Sequence, residues 1–165
     1  MQPRRDIDDY CYKGNRKRKE VILPPGCKTI GREAYANSQI RKLVTFPETL
    51  EEIREGAFSE NRFLKEVIFP ASLESIGAYC YKNCTALETV KFKAGSKCHR
   101  TPEGCFYSCL QLSKVVFPEN LKKINQYDAK MKLINNYTSQ KKVMKHLNHM
   151  MKYENWVKAK DWRSL

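Results

Sequence analysis

The chain repeats itself every 23 residues, and that period limits what it can fold into more than any other feature. Ile7, Ile30, Ile53 and Ile76 stand one step apart, as do Tyr12, Tyr35, Phe58 and Tyr81. Val21, Val44, Val67 and Val90 keep the interval, and so do Leu23, Phe46, Phe69 and Phe92. Pro24, Pro47 and Pro70 follow the same step. After a two-residue insertion a further unit supplies Phe106, Val115, Phe117 and Pro118, and Ile124 opens a last, incomplete one. Self-similarity at this period marks a solenoid, in which each coil buries its apolar face on its neighbours and no separate globular core is needed.

Aligned on the period, one unit reads Ile-x-x-x-Ala/Cys-Phe/Tyr-x-x-Cys/Asn-x-x-Leu-x-x-Val-x-Phe-Pro-x-x-Leu. The third unit is the clearest, with Ile53, Ala57, Phe58, Asn61, Leu64, Val67, Phe69, Pro70 and Leu73. The alternation around Val67 and Phe69 is strand spacing, which turns those two inward and Glu66 and Ile68 to the opposite face. Pro70 has no N–H and ends the ladder. One short strand per coil predicts a single parallel sheet along one side. Residues 53–61 read as a short helical or irregular turn carrying Ala57 and Phe58 inward. Gly31 and Gly77, each directly after the unit's Ile, read as tight bends. The first unit is degenerate, because Arg16-Lys17-Arg18-Lys19 replaces its apolar middle. A polar terminal coil is what an end cap requires, since its outer side meets water.

These residues carry a resemblance. Cys80-Tyr81-Lys82-Asn83-Cys84-Thr85-Ala86-Leu87-Glu88-Thr89-Val90-Lys91-Phe92 resembles the BspA-type leucine-rich repeat, as does the stretch from Cys105 to Pro118. The resemblance spans about Ile7 to Ile124, with some ten positions recurring in phase. It implies an α/β fold: a right-handed leucine-rich-repeat solenoid whose parallel β-sheet lines the concave face. Proteins of this family are often surface or secreted proteins used in adhesion and binding. The domain reading is a solenoid of about five coils over residues 1–126, then a basic helical cap or tail over 127–165. In that second segment Thr138 or Ser139 caps a helix start. Val143, Leu147, Met150 or Met151, and Val157 follow helical spacing, with Trp156 and Trp162 adding apolar bulk.

All seven cysteines fall on repeat positions. Cys11, Cys80 and Cys105 share the Ala57 position, Cys84 and Cys109 that of Asn61, and Cys27 and Cys98 that of Leu73. This favours buried small hydrophobes in ladders. One alternative is a tetrahedral zinc site from Cys80, Cys84, Cys105 and Cys109; another is disulfides between coils. The repeat explains the spacing without either. His146 and His149 sit three apart in the C-terminal segment without a third ligand nearby. His99 reads as loop, in an insertion at Lys97–Arg100. No phosphate-cradling glycine loop, nucleophile elbow or apolar carboxylate pair is present. The reading is therefore of a protein that is not an enzyme and needs no cofactor or metal.

The formal net charge is +13. Residues 1–20 hold 7 Lys/Arg against 4 Asp/Glu, residues 21–124 hold 15 against 11, and residues 125–165 hold 9 against 3. Most of the excess thus sits in the flanks, and such a field favours acidic partners. No stretch reaches the roughly 18 apolar residues of a membrane span. With Met1 as the native start the chain reads as cytoplasmic; with an export signal trimmed away it reads as cell-surface or secreted.

Curved solenoids bind along the concave face. The residues expected there are Ile22, Thr45, Ile68, Lys91 and Val116 after each unit's Val, with Leu43 before Val44. Ile22, Leu43, Ile68 and Val116 form an apolar stripe beside a basic edge of Lys19, Lys42 and Lys65, and Lys91 is a further electrostatic contact. The function read from the sequence is a protein-binding scaffold using this face. A second class is a nucleic-acid or anionic-surface binder acting through the Lys/Arg-rich flanks, and a third is a self-associating module.

Overall fold

A computed structural model describes residues 5–42 and 44–122. Leu43 and residues 123–165 lie outside the described residues. With them fall the expected C-terminal helix, the boundary at 126 and the pair His146 and His149.

Seven short strands form, β1 (Thr29–Ile30), β2 (Val44–Thr45), β3 (Glu52–Ile53), β4 (Glu66–Phe69), β5 (Ser75–Ile76), β6 (Thr89–Phe92) and β7 (Lys114–Val116). They build two parallel sheets where the sequence predicted one: β2-β4-β6-β7 and β1-β3-β5. The second sheet arises at the isoleucine column. Ile30, Ile53 and Ile76 are buried, and the extended backbone around them pairs with the next coil exactly one period on, Ile30 with Ile53 and Ile53 with Ile76. An isolated bridge adds Ile7 to Ile30. A residue that is alone in its apolar pattern shows no alternation, so the period-2 signal exposed only the first sheet.

The larger sheet keeps the expected register. Val44 faces Val67, Val67 faces Val90, and Val90 faces Val115. The last step spans 25 residues, which absorbs the insertion. The chain places that insertion earlier than Lys97–Arg100. The Lys122 amide donates to the His99 carbonyl (2.7 Å), as the Glu51 amide does to Lys28 and the Glu74 amide to Glu51. His99 is thus an ordinary coil position, and the extra residues fall in the turn at Ala94–Gly95.

The turn between the sheets is not helical, and no helix occurs among the described residues. Tyr10, Tyr12 and Gly14 donate amides to the carbonyls of Arg32, Ala34 and Ala36 in the next coil. Glu33, Tyr35 and Asn37 repeat this onto Glu55, Ala57 and Ser59, and later coils follow. A helix would bond within itself; this wall bonds between coils. Two left-handed residues per coil make the geometry possible, at Tyr10, Glu33, Gly56, Tyr79 and Gly104 and at Gly14, Asn37, Glu60, Asn83 and Ser108.

Gly31 and Gly77 serve close approach rather than a bend. Neither has positive φ. A Cβ on Gly31 would stand 2.4 Å from the Asp9 amide nitrogen, and one on Gly77 would stand 2.2 Å from that of Glu55.

The interior consists of columns. Tyr12, Tyr35, Phe58, Tyr81 and Phe106 stack ring on ring at 5.1, 5.3, 5.3 and 5.9 Å. Phe46, Phe69, Phe92 and Phe117 form a second column, and Phe46 and Phe69 meet the first edge-on. Cys27, Leu50, Leu73, Cys98 and Leu121 are buried in a third. One column shifts frame. In the second coil Arg41 holds the position of Leu64, but Ile40 is the residue that is buried, and the left-handed Gln39 supplies the offset. Thiols behave as packing residues except Cys11, which is exposed, while the other six are buried.

Candidate interaction surface

The outward positions of the larger sheet line up as the pleat requires. Thr45 pairs with Ile68, Ile68 with Lys91, and Lys91 with Val116. This row carries one side chain per coil, at about 4.8 Å per step. Ile68, Lys91 and Val116 are half-buried, while Thr45 is exposed. Ile22 sits one period before Thr45 and is 67% exposed. Its segment forms no strand on β2, and Val21 and Leu23 are only half-buried. Leu43 lies outside the described residues, so the row reads Ile22, Thr45, Ile68, Lys91 and Val116, and Lys91 interrupts the apolar stripe between Ile68 and Val116.

The basic edge is not a row of free charges. The Lys42 Nζ pairs with Glu20, Lys65 with Glu88 at 3.8 Å, and Lys91 with Glu66 at 3.1 Å. Each lysine meets a glutamate from the adjacent coil, so the sequence reading overcounts the field of this edge. Lys19 is different: it is exposed and has no acidic partner among the described residues. Its carbonyl accepts the Arg41 and Lys42 amides at 2.9 and 3.3 Å. The signal for the pairing was in the sequence, because Lys65 and Glu88 occupy one repeat position.

A group of exposed rings on the turn wall escaped the sequence reading. Phe63 carries the Arg41 guanidinium at 4.3 Å. Lys82 lies 5.5 Å from the Tyr79 ring and 5.9 Å from that of Tyr107, and Lys13 lies over Tyr10. These cations cover the ring faces. The Tyr79 hydroxyl lies 3.0 Å from a Glu103 carboxylate oxygen, to which it donates. Leu110 is exposed beside them in sequence.

Two thiols of the candidate zinc set are donors. Cys84 Sγ donates to the Phe58 carbonyl at 3.2 Å and Cys109 Sγ to that of Tyr81 at 3.1 Å. Burial pushes the Cys84 thiol up to about 12 and that of Cys80 higher still. Among the described residues no group of three or more His, Cys, Asp or Glu is placed to hold a metal ion, and all seven cysteines are free thiols. No helix among the described residues is long and apolar enough to cross a membrane.

In the first coil the carboxylates of Asp6 and Asp9 accept amides of the next coil. Elsewhere two successive amides bond one carbonyl a period back, as Glu51 and Glu52 do on Lys28. For Lys28 and Thr29 a carboxylate oxygen of Asp6 takes both amides at 2.9 Å, and Asp9 takes that of Arg32 at 2.7 Å.

Two solved structures share this architecture. The pneumococcal vaccine antigen PcpA matches with a TM-score of 0.58 at 17% identity, over 79% of this chain and 36% of its own. The Treponema pallidum leucine-rich repeat protein TpLRR (T. pallidum) matches with a TM-score of 0.56 at 24% identity, over 72% of this chain and 65% of its own. The chain therefore covers less than two thirds of either relative's length. No curated protein matches the sequence significantly. The model of the BspA type leucine rich repeat region matches residues 5–138 in six copies. With that match over most of its length, the chain belongs to the BspA-type leucine-rich repeat family.

Proposed function

We propose that the chain is a non-enzymatic recognition module whose protein partner docks on the outer face of the β2-β4-β6-β7 sheet, the face expected to be concave. The observation that carries this reading is the in-register row Thr45, Ile68, Lys91 and Val116, continued by the exposed Ile22. Four parallel strands hold these side chains on a rigid surface that requires little ordering on binding, which lowers the entropic cost of association. A row of Ile22, Ile68 and Val116, interrupted by Thr45 and the ion-paired Lys91 and edged by Lys42 and Lys65, mixes apolar contact with a polar margin as interfaces do. The buried thiols and the ion-paired carboxylates are occupied in holding the coils together.

The test is site-specific photo-crosslinking in a nuclease-treated native lysate at moderate salt. A crosslinker at Thr45 is expected to capture one protein that a crosslinker at Glu74, on the opposite wall, does not. Ile68→Asp is expected to abolish the capture with little change in melting temperature. A steep fall in melting with Ile68→Asp means that the face is packed rather than free. Capture lost on nuclease treatment favours the nucleic-acid reading instead.

A further inference from the structure

We infer that the first coil docks an acidic, extended protein segment, with Arg16, Lys17 and Lys19 holding its carboxylates and Ile22 taking an aliphatic side chain. The inference rests on the sheet-face reading and specifies the chemistry of what lands at one end of that face.

Charge is the first observation. Lys42, Lys65 and Lys91 are neutralised by glutamates of neighbouring coils. Arg16, Lys17 and Lys19 are exposed and have no acidic partner among the described residues. Arg18 adds a fourth positive charge and is fixed by its stack over the Tyr12 ring at 4.3 Å. Its Nε is buried without an acceptor among the described residues. Glu20, the one acid in this run, is engaged by Lys42. Unpaired cations held on a fixed backbone attract and orient carboxylates at little reorganisation cost.

Exposure is the second. A solubility cap needs charge but no bare isoleucine, and Ile22 is 67% exposed three residues beyond Lys19. The Glu20–Leu23 segment forms no strand on β2, although Val21 and Leu23 pack against the core, whereas every later coil forms a strand at this position. An extended segment presents alternate side chains to opposite faces. One that alternates acidic and aliphatic residues satisfies the cations and Ile22 together.

The aromatic rings separate a peptide from a single-stranded nucleic acid. Bases bind by stacking on free ring faces. Here Tyr12, the ring beneath the basic run, is held between Arg18 and Tyr35 and offers no free face to a base, while Tyr10 and Phe63 each carry a cation over one face. Ile22 provides an aliphatic contact instead.

The experiment is fluorescence anisotropy of the full chain with a labelled twelve-residue peptide of alternating glutamate and valine. Saturable binding is expected. It should weaken by about tenfold or more in Arg16→Ala/Lys17→Ala/Lys19→Ala and by several-fold in Ile22→Ser. The control Lys28→Ala/Arg32→Ala/Lys97→Ala removes the same charge elsewhere and should leave affinity unchanged. Thermal melts of all variants verify the fold. Equal weakening in both triple variants reduces the effect to net charge and overturns the proposal. Tighter binding of an oligo-dT of equal length through the same residues overturns it in favour of nucleic acid. Absence of binding leaves the coil a polar cap only and overturns it as well. If the peptide fails while Thr45 capture persists, the acidic-segment inference falls and the sheet-face reading stands; peptide binding without Thr45 capture gives the converse.

Discussion

Asn61 Nδ2 donates to the Tyr35 carbonyl one coil earlier at 2.8 Å and to the Phe58 carbonyl of its own coil at 2.8 Å, while its Oδ1 accepts the Ser38 and Ile40 amides. Ser38, Cys84 and Cys109 repeat the bond to the preceding coil, on Tyr12, Phe58 and Tyr81. Asn61 is fully buried. Asn61→Ala orphans the Ser38 and Ile40 amides and the Tyr35 carbonyl, leaves the Phe58 carbonyl to the Cys84 thiol, and should cost about 3 kcal/mol or more in urea unfolding. Asn61→Cys, the residue used at Cys84 and Cys109, should cost less than Asn61→Ala.

Tyr81→Phe should stabilise the protein. The Tyr81 hydroxyl is buried without a hydrogen-bond partner in the structure, and Phe58 shows that the column accepts a ring without it. Removing an unsatisfied buried hydroxyl is expected to raise unfolding free energy by about 1 kcal/mol. A fall in stability would mean that the hydroxyl has an acceptor.

Gly77→Ala and Gly95→Ala should differ in size and origin. The added methyl at Gly77 meets the Glu55 and Arg54 backbone at 2.2 and 2.5 Å and forces two coils apart, for about 3 kcal/mol. Gly95 has φ of 76° and open space, so Gly95→Ala carries only left-handed strain of about 1 kcal/mol. Chemical denaturation of the two variants separates steric from conformational cost.

Native protein should show one fast-reacting thiol toward a water-soluble disulfide reagent, Cys11, with the other six reacting only on unfolding. The same burial predicts a pH dependence. Cys84 ionises near 12 when folded and near 9.0 when unfolded. Its contribution is complete below pH 9 and is lost as pH rises toward 12, because the unfolded chain releases the proton first. Urea midpoints should fall above pH 9, and less steeply in Cys84→Ala.

The columns were legible because the same side chain returns every 23 residues and can only face its own copies. Ile53, Phe58, Val67, Phe69 and Leu73 all entered the core where their period placed them. Ile40 did not follow, since a left-handed Gln39 changes the frame, and backbone dihedrals leave no mark in an apolar pattern. Leu110 and Tyr107 were invisible as surface residues for a related reason: the turn wall has no alternation to separate its two sides.

The sequence by itself determined the solenoid, its period, the larger sheet's register and the family, because these follow from repetition and from which side chains avoid water. Tertiary structure alone decided the second sheet, the coil-to-coil bonding of the turn wall, the role of Gly31 and Gly77, and which lysines are neutralised. Each of these depends on what stands beside a residue one coil away. Backbone pairing and charge pairing are settled by distances of a few ångströms between coils, and periodicity identifies which residues are neighbours without specifying how they meet.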